Sequence, residues 1–340
     1  MRDFQYRLWS NYRAHAVMLV IALVFPFLAQ RYQLGLVSNS LLLALSAIAL
    51  NVLMGLSGLI SVGSAALLGI GAYTAATLSL YVGVPFLLTI LICAVVGAVL
   101  GLAIGLPALR VQGIYLAIAT LALHFVTIFA LGRYQGYAVG PLGFVLPSAT
   151  VFGFEFDSEF KWYFFILATV VLTYVIVQNI RNSRFGRAWM LLRDAPIAAA
   201  SQGISLTRYK LLAFVFSSAL TGFAGGVQAY YQSNVYIDGF SLELAIQFIA
   251  MIVIGGWGSI GGSIAGAFFV ALMPTGLSSL ISMFPQGSVV TDFLSRHVAD
   301  LQLMIYGLLI IGFLIFEPGG LAAAFRRLGR LTAQPQLRSA

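Results

Sequence analysis

The chain has 340 residues, of which 61% are hydrophobic and only 8% charged, with a mean hydropathy of +0.99. A water-soluble domain carries about a quarter charged residues, so the composition excludes one and specifies an integral membrane protein. The excess of 18 Lys and Arg over 10 Asp and Glu does not imply nucleic acid, because the basic residues sit at segment ends, where they set orientation and meet anionic lipid.

A spanning helix needs about 20 mostly apolar residues. Arg2, Arg7 and Arg13 lead into a first apolar run at 16–31 with no small-x-small cleavage pattern after it, which reads as an uncleaved span. Further apolar windows predict spans at 35–54, 58–81, 85–107, 113–131, 162–180 and 211–230. The stretch 242–282 is too long for one crossing and is interrupted by Gly255-Gly256-Trp257-Gly258-Ser259-Ile260-Gly261-Gly262. It divides into a short descending half, 242–255, and a span at 263–282; a last span covers 301–316. The expectation is an all-α polytopic bundle of ten spans with Gly-rich discontinuous helices. One transmembrane domain, 16–325, would be preceded by an N-terminal arm, 1–15, and followed by a basic tail, 326–340.

Charge orders these spans. With the N-terminus inside, the cytoplasmic side holds Arg2, Arg7, Arg13, Arg110, six basic residues of the 181–210 loop, and Arg326, Arg327, Arg330 and Arg338. The outside holds only Arg31, Arg133, Lys161 and Arg296, as the positive-inside rule requires. Without the division at the glycines the basic tail would fall outside. Glu155, Asp157, Glu159, Asp238, Glu243, Asp292 and Asp300 collect at the outer side.

The loop from Arg181 to Lys210 is the one long basic excursion, carrying Arg181, Arg184, Arg187, Arg193, Arg208 and Lys210 around an Ala-rich helical segment, Asp194 to Gly203. Two readings are open: a lipid-surface loop that satisfies the charge rule, or a docking knob for a cytoplasmic partner. The alanine-lined middle goes beyond what the charge rule requires. Gly97, Gly101 and Gly105 recur every four residues, as do Gly222 with Gly226 and Gly262 with Gly266. Small residues at this spacing let helices approach closely, either at a dimer seam or inside one bundle.

Several chemistries are missing. No GxxxxGK[ST] phosphate loop occurs, so the chain carries no ATPase site of its own. His15, His124 and His297 lack metal or triad spacing, and Cys93, in an apolar run, reads as a small buried hydrophobe. No Asp, Glu, Lys or Arg falls near a span centre, where ion-coupled carriers place their coupling charges. His124 stands inside the fifth span, as a pathway residue or as a packing residue bonded to a carbonyl.

The motifs resemble those of branched-chain amino-acid ABC importer permeases of the LivM type. The resemblance rests on Asn51-Val52-Leu53-Met54-Gly55-Leu56-Ser57-Gly58-Leu59-Ile60-Ser61-Val62-Gly63, Gly69-Ile70-Gly71-Ala72-Tyr73 and Gly113-Ile114-Tyr115-Leu116-Ala117 with Thr120. It continues through Ser183-Arg184-Phe185-Gly186-Arg187-Ala188, the Gly255–Gly262 run and Pro318-Gly319-Gly320-Leu321. The loop resembles the family's coupling pattern Glu-Ala-Ala-x-x-x-Gly, with Ile197 in place of Glu, then Ala198, Ala199 and Gly203. Ala138-Val139-Gly140-Pro141 stands where the family often has Thr-Gly-Gly-Pro.

The resemblance implies an importer permease that forms half of a pathway with a second permease subunit. Two ATPase subunits holding ATP-Mg would dock below, and a substrate-binding protein would deliver solute above. Arg187, Arg193, Asp194, Ala198, Ala199 and Gly203 are the expected ATPase-coupling residues. The Gly-rich or broken helices nominate Asn51, Ser57, Ser61, Ser64, Tyr73, Thr120 and His124 for the substrate pathway, against the alternative that their hydroxyls bond back to their own helices. The implied solute is a branched-chain or related small amino acid, with urea or short amides as the alternative. A passive channel for a neutral solute and an intramembrane enzyme are the rival classes; the scarcity of His, Asp and Glu inside the spans argues against the enzyme.

Overall fold

The computed structural model of the protein describes residues 20–108, 113–151, 153–283, 289–317 and 319–323. The arm at 1–15, Arg110 and the tail at 326–340 lie outside the described residues. Residues 20–28 form a helix, α1, within the first expected span, whose start also lies outside them.

Among the described residues nine helices are long and apolar enough to cross a bilayer. They are α2 (Arg31–Asn51, prolonged by a π turn at Val52–Leu56), α3 (Ser64–Thr77, prolonged by a π turn at Leu78–Val82), α4 (Phe86–Ala108), α5 (Ile114–Ala138) and α6 (Glu159–Asn182). After the short helices α7 (Arg184–Asp194) and α8 (Pro196–Ser201) follow α9 (Leu206–Gln232), α10 (Leu242–Gly255) and α11 (Ile260–Ser282); α12 (Val289–Arg296) leads into the ninth, α13 (Val298–Phe316). Helices dominate because lipid offers nothing to an unpaired amide, and a helix pairs its own.

Two expectations shift. The third span begins at Ser64, since residues 57–63 leave the helix altogether. The loop holds two helices instead of one: Pro196 lacks an N–H and forces Ala195 to φ −150° and ψ 74°, so α7 stops and α8 starts with proline in its first turn.

The ends of the bundle are distinct. Helix α9 rises about 40 Å at 1.5 Å per residue, so α7 and α8, just before it, lie opposite the strands just after it. At that far end β1 (Phe144–Val145) pairs with β4 (Asn234–Val235), and β2 (Thr150–Val151) pairs with β3 (Phe154–Glu155), all antiparallel. Glu155, Asp157, Glu159, Asp238 and Glu243 gather at the strand end, whereas Arg184, Arg187, Arg193, Arg208 and Lys210 mark the α7–α8 end. Asp157, paired with Lys161, has its carboxyl held below the usual range by that hydrogen bond.

Glycines set the core. A Cβ at Gly97 or Gly101 of α4 would run into Ser218 of α9, and one at Gly222 of α9 would meet the Cys93 carbonyl. On its other side α9 presses Gly225 against the Leu68 carbonyl of α3, and Gly71 of α3 lies against Gly222. Gly262 and Gly266 of α11 meet Gly255 and Met251 of α10 in the same manner. The four-residue glycine repeats are therefore packing seams inside one bundle. Ser217 ties α9 to α2 by donating to the Ala49 carbonyl at 2.7 Å, and Cys93 is fully buried.

Gly222→Val is expected to destabilise the bundle by about 1–3 kcal/mol or more, because backbone on α4 cannot move aside. Gly136→Ala, where a Cβ meets nothing within 4 Å, is expected to be neutral. Thermal midpoints of the detergent-solubilised proteins check both.

Candidate functional site

At the α7–α8 end, the motif that runs from Asn51 to Gly63 and the one that runs from Gly255 to Gly262 meet in a single knot. Asn51 donates from Nδ2 to the Ser259 carbonyl at 2.9 Å and to Ser263 Oγ at 2.6 Å, and accepts from the Gly258 amide at 3.0 Å. Its side chain lies across Gly55, where a Cβ would overlap it; the four-residue Asn-Gly spacing is what makes room. The π turn at Val52–Leu56 shifts carbonyls out of the α-helical pattern, and two are taken up from outside. Trp257 Nε1 donates to Met54 O at 2.8 Å, and Arg193 Nη1 donates to Gly55 O at 2.5 Å. Gly58, at φ +71°, then turns the chain out of the helix, with Leu59 N returning to Leu53 O.

Residues 57–63 continue without helix; Ser57, Leu59, Ser61 and Gly63 are buried, Ile60 and Val62 half-buried, and Gly58 is exposed at the bundle end. Val62 N donates to Thr120 Oγ1 at 3.0 Å, and Gly63 N to Ser61 Oγ at 3.4 Å. Gly63 packs so closely on the Thr120 carbonyl that a Cβ would stand 3.0 Å from it. His124 follows one turn along the same buried face of α5. Ser61, Ser64, Thr120 and His124 are all at least 96% buried. Ser64 Oγ and His124 Nδ1 nevertheless have no hydrogen-bond partner in the protein. Buried polar atoms are almost always paired, so two orphans beside one helix break mark a place that water or solute completes.

The remaining nominated residues separate from this cluster. Ser57 bonds back to Leu53 O at 2.6 Å, the alternative recognised for such hydroxyls. Tyr73 sits toward the strand end, its hydroxyl donating to Gln135 Oε1 and its ring against Phe144 and Phe240. Gln135 also accepts from the Ile237 amide and donates to the Pro141 carbonyl, so it sews α5 to both outer loops. Sequence reading passed over Gln135, although Thr120, His124 and Gln135 recur at helical spacing on the buried face of α5.

The loop residues divide by direction. Ser183 caps α7 by accepting from Phe185 N, and Arg187 donates to the Asn182 carbonyl at the end of α6. Trp189 Nε1 donates to the Tyr209 carbonyl and fastens α7 to α9. In α8, Ile197 is 86% exposed and Ala198 and Ala200 face outward, but Ala199 is fully buried. The outward knob is therefore Ile197, Ala198 and Ala200, with Ala199 as its anchor. Gly203, at φ +77°, closes α8 through bonds from its own amide to Ala200 O and from Ile204 N to Ala199 O. Arg193 is held by Asp194, Nε to Oδ1 at 2.7 Å and Nη2 to Oδ2 at 3.2 Å. Those bonds keep the Asp194 carboxyl below the usual carboxylate range. Since the folded value is the lowered one, the pair stays charged at neutral pH and is lost only as pH falls through that value.

The model of one protein family, described as the branched-chain amino acid transport system permease component, matches residues 32–314. The chain belongs to that family. It is 31% identical over 328 residues to the high-affinity branched-chain amino acid transport system permease protein LivM of Salmonella typhimurium, covering 89% of this chain and 73% of that protein. It is 30% identical, over the same shares, to LivM of Escherichia coli. A probable branched-chain amino acid transport permease protein LivH of Methanocaldococcus jannaschii is 28% identical over 71% of this chain and 78% of its own length. No solved structure matches. The chain is thus a multi-pass membrane permease, and the knot at Asn51 and the break at 57–63 lie within the family's matched span.

Asn51→Leu in this permease keeps the side chain's branching but strands the Gly258 amide and the Ser259 carbonyl. A stability loss of about 1–3 kcal/mol is expected, read as a lower thermal midpoint and faster proteolysis in the 255–262 turn.

Proposed function

We propose that this chain is one permease subunit of an ATP-driven importer for branched-chain amino acids in a bacterial inner membrane. Both termini would be cytoplasmic, as the distribution of Lys and Arg favours. A second permease subunit, a different chain or another copy, completes the pathway. Two ATPase subunits supply the energy from ATP-Mg and dock on α8, and a substrate-binding protein delivers the amino acid at the acidic strand end. The observation that carries this reading is α8 itself, a short proline-started, glycine-closed helix held out from the bundle end by a family permease. The substrate follows from what the LivM relatives are named for.

Inside the membrane, Ser61, Ser64, Thr120 and His124 line the path. A helix break offers a zwitterion polar groups without a fixed charge, and Ser64 and His124 have hydrogen-bonding capacity that the protein leaves unused. Because Ser64 Oγ is unpaired, removing it relieves a burial penalty. Ser64→Ala is therefore expected to keep or raise the thermal midpoint while leucine uptake falls at least tenfold; equal uptake would remove Ser64 from the path.

Affinity capture from gently solubilised native membranes tests the coupling. Wild type is expected to bring down a subunit with a nucleotide-binding sequence and ATP-hydrolysing activity, and Ala198→Glu to lose it without loss of folded permease. Ala199→Glu cannot serve here, since it drives a charge into the anchor. Wild type that carries no ATPase, yet passes leucine or urea down a gradient in vesicles, would replace the importer with a passive channel.

A further inference from the structure

Arg193 stands at the junction of three elements. It is the penultimate residue of α7, three positions before the proline that starts α8. Its guanidinium reaches out of the loop into the bundle, where Nη1 donates to Gly55 O, a carbonyl of the π turn. The side chain passes through a socket walled by glycine. A Cβ at Gly58 would stand 2.6 Å from Arg193 Cγ, and one at Gly258 would stand 3.1 Å from Nη1. A larger residue at Gly58 would displace the arginine stem and one at Gly258 would crowd its tip, and both glycines have positive φ, +71° and +77°. The two nitrogens not engaged with Gly55 are occupied by Asp194, which fixes the plane of the fork.

We infer that Arg193 is the strut through which movement of α8 reaches the solute path, so that it positions the helix break instead of binding an ATPase. The inference rests on the coupling role proposed for α8. The chain of contact is short and continuous. Helix α8 follows Arg193 within the same loop, and Ala199 anchors it there. Arg193 holds Gly55 O, two residues before the non-helical stretch begins at Ser57, and Gly58 then turns the chain. That stretch ends on Thr120 through the Val62 amide, beside Ser61 and Ser64. A π turn is one residue wider than an α turn and is a common site of functional hinging. Holding one of its carbonyls from the loop gives the loop a grip on where the following segment points. Arginine suits this task because its rigid fork serves Asp194 and Gly55 at once, whereas a lysine ammonium has no fixed plane with which to hold both.

The test compares wild type, Arg193→Ala, Arg193→Lys and Asp194→Asn as complexes captured from native membranes and reconstituted in proteoliposomes. The readouts are ATPase subunit retained, ATP hydrolysed, and radiolabelled leucine accumulated per ATP. Arg193→Ala is expected to retain the ATPase and its hydrolysis while leucine per ATP falls at least tenfold. Arg193→Lys and Asp194→Asn are expected to fall between, and Arg193→Ala with Asp194→Asn to be no worse than Arg193→Ala alone. Unchanged leucine per ATP in Arg193→Ala, or loss of the ATPase subunits from it, overturns the strut; the second result would make Arg193 a docking contact. A separate arm needs no ATPase. In a Cys93→Ala background, S61C is shielded in the held segment, and adding Arg193→Ala is expected to speed its labelling by a thiol reagent at least tenfold. Equal labelling rates overturn the strut. Wild type that carries no ATPase refutes the coupling reading instead, and the labelling arm then decides on Arg193 alone.

Discussion

A chain inside lipid must find a partner for each backbone amide and carbonyl it buries, and the seven residues from Ser57 to Gly63 are where this protein gives up the helix that supplies them. Everything near them answers that need. Gly58 turns the chain, Trp257 and Arg193 take carbonyls of the π turn, and Thr120 receives the Val62 amide. Two of the four buried side-chain atoms without a partner among the described residues, Ser64 Oγ and His124 Nδ1, fall beside this break. The bundle can hold such a break only because three other elements, the α10–α11 turn, α7 and α5, converge on it.

That convergence depends on close backbone approach. Helix α9 lies against α3 and α4 at positions where a single added Cβ would strike backbone, and lipid supplies no hydrophobic force to press helices together across a looser contact. The same device brings the α10–α11 turn within reach of Asn51, and opens the socket that Arg193 fills. The glycines of the two motifs thus do different things. Gly55 and Gly58 make room for side chains arriving from elsewhere, whereas Gly97, Gly222 and Gly225 make room for backbone.

The loop at the opposite end from the strands shows how exposure and anchoring alternate along a short helix. Ile197, Ala198 and Ala200 face out, and Ala199 faces in. The departure of Ile197 from the glutamate of the resembled pattern places an apolar side chain, 86% exposed, on the outer face of α8, so a partner docking there as proposed would meet it by shape and burial more than by charge. Two of its charged neighbours are already engaged: Arg187 with the end of α6, Arg193 with Asp194 and Gly55.

Composition and periodicity by themselves determined that this is a membrane bundle, where most spans lie, that the long run at 242–282 must turn at its glycines, and that 181–210 is a distinct loop. Those features follow from local quantities: apolar length, charge at segment ends, and the backbone freedom of glycine. The helical spacing of Thr120, His124 and Gln135 was also present, although only burial showed which face mattered. Only the tertiary structure decided that Asn51 closes the bundle end while the segment at Ser61 and Ser64 meets Thr120, and that Arg193 points inward. Each of these is settled by a partner far away in the chain: Asn51 with Gly258, Val62 with Thr120, Arg193 with Gly55. In spans apolar on every side, no periodic signal says which neighbour a polar side chain will find. That choice belongs to the packing of helices that the glycines allow.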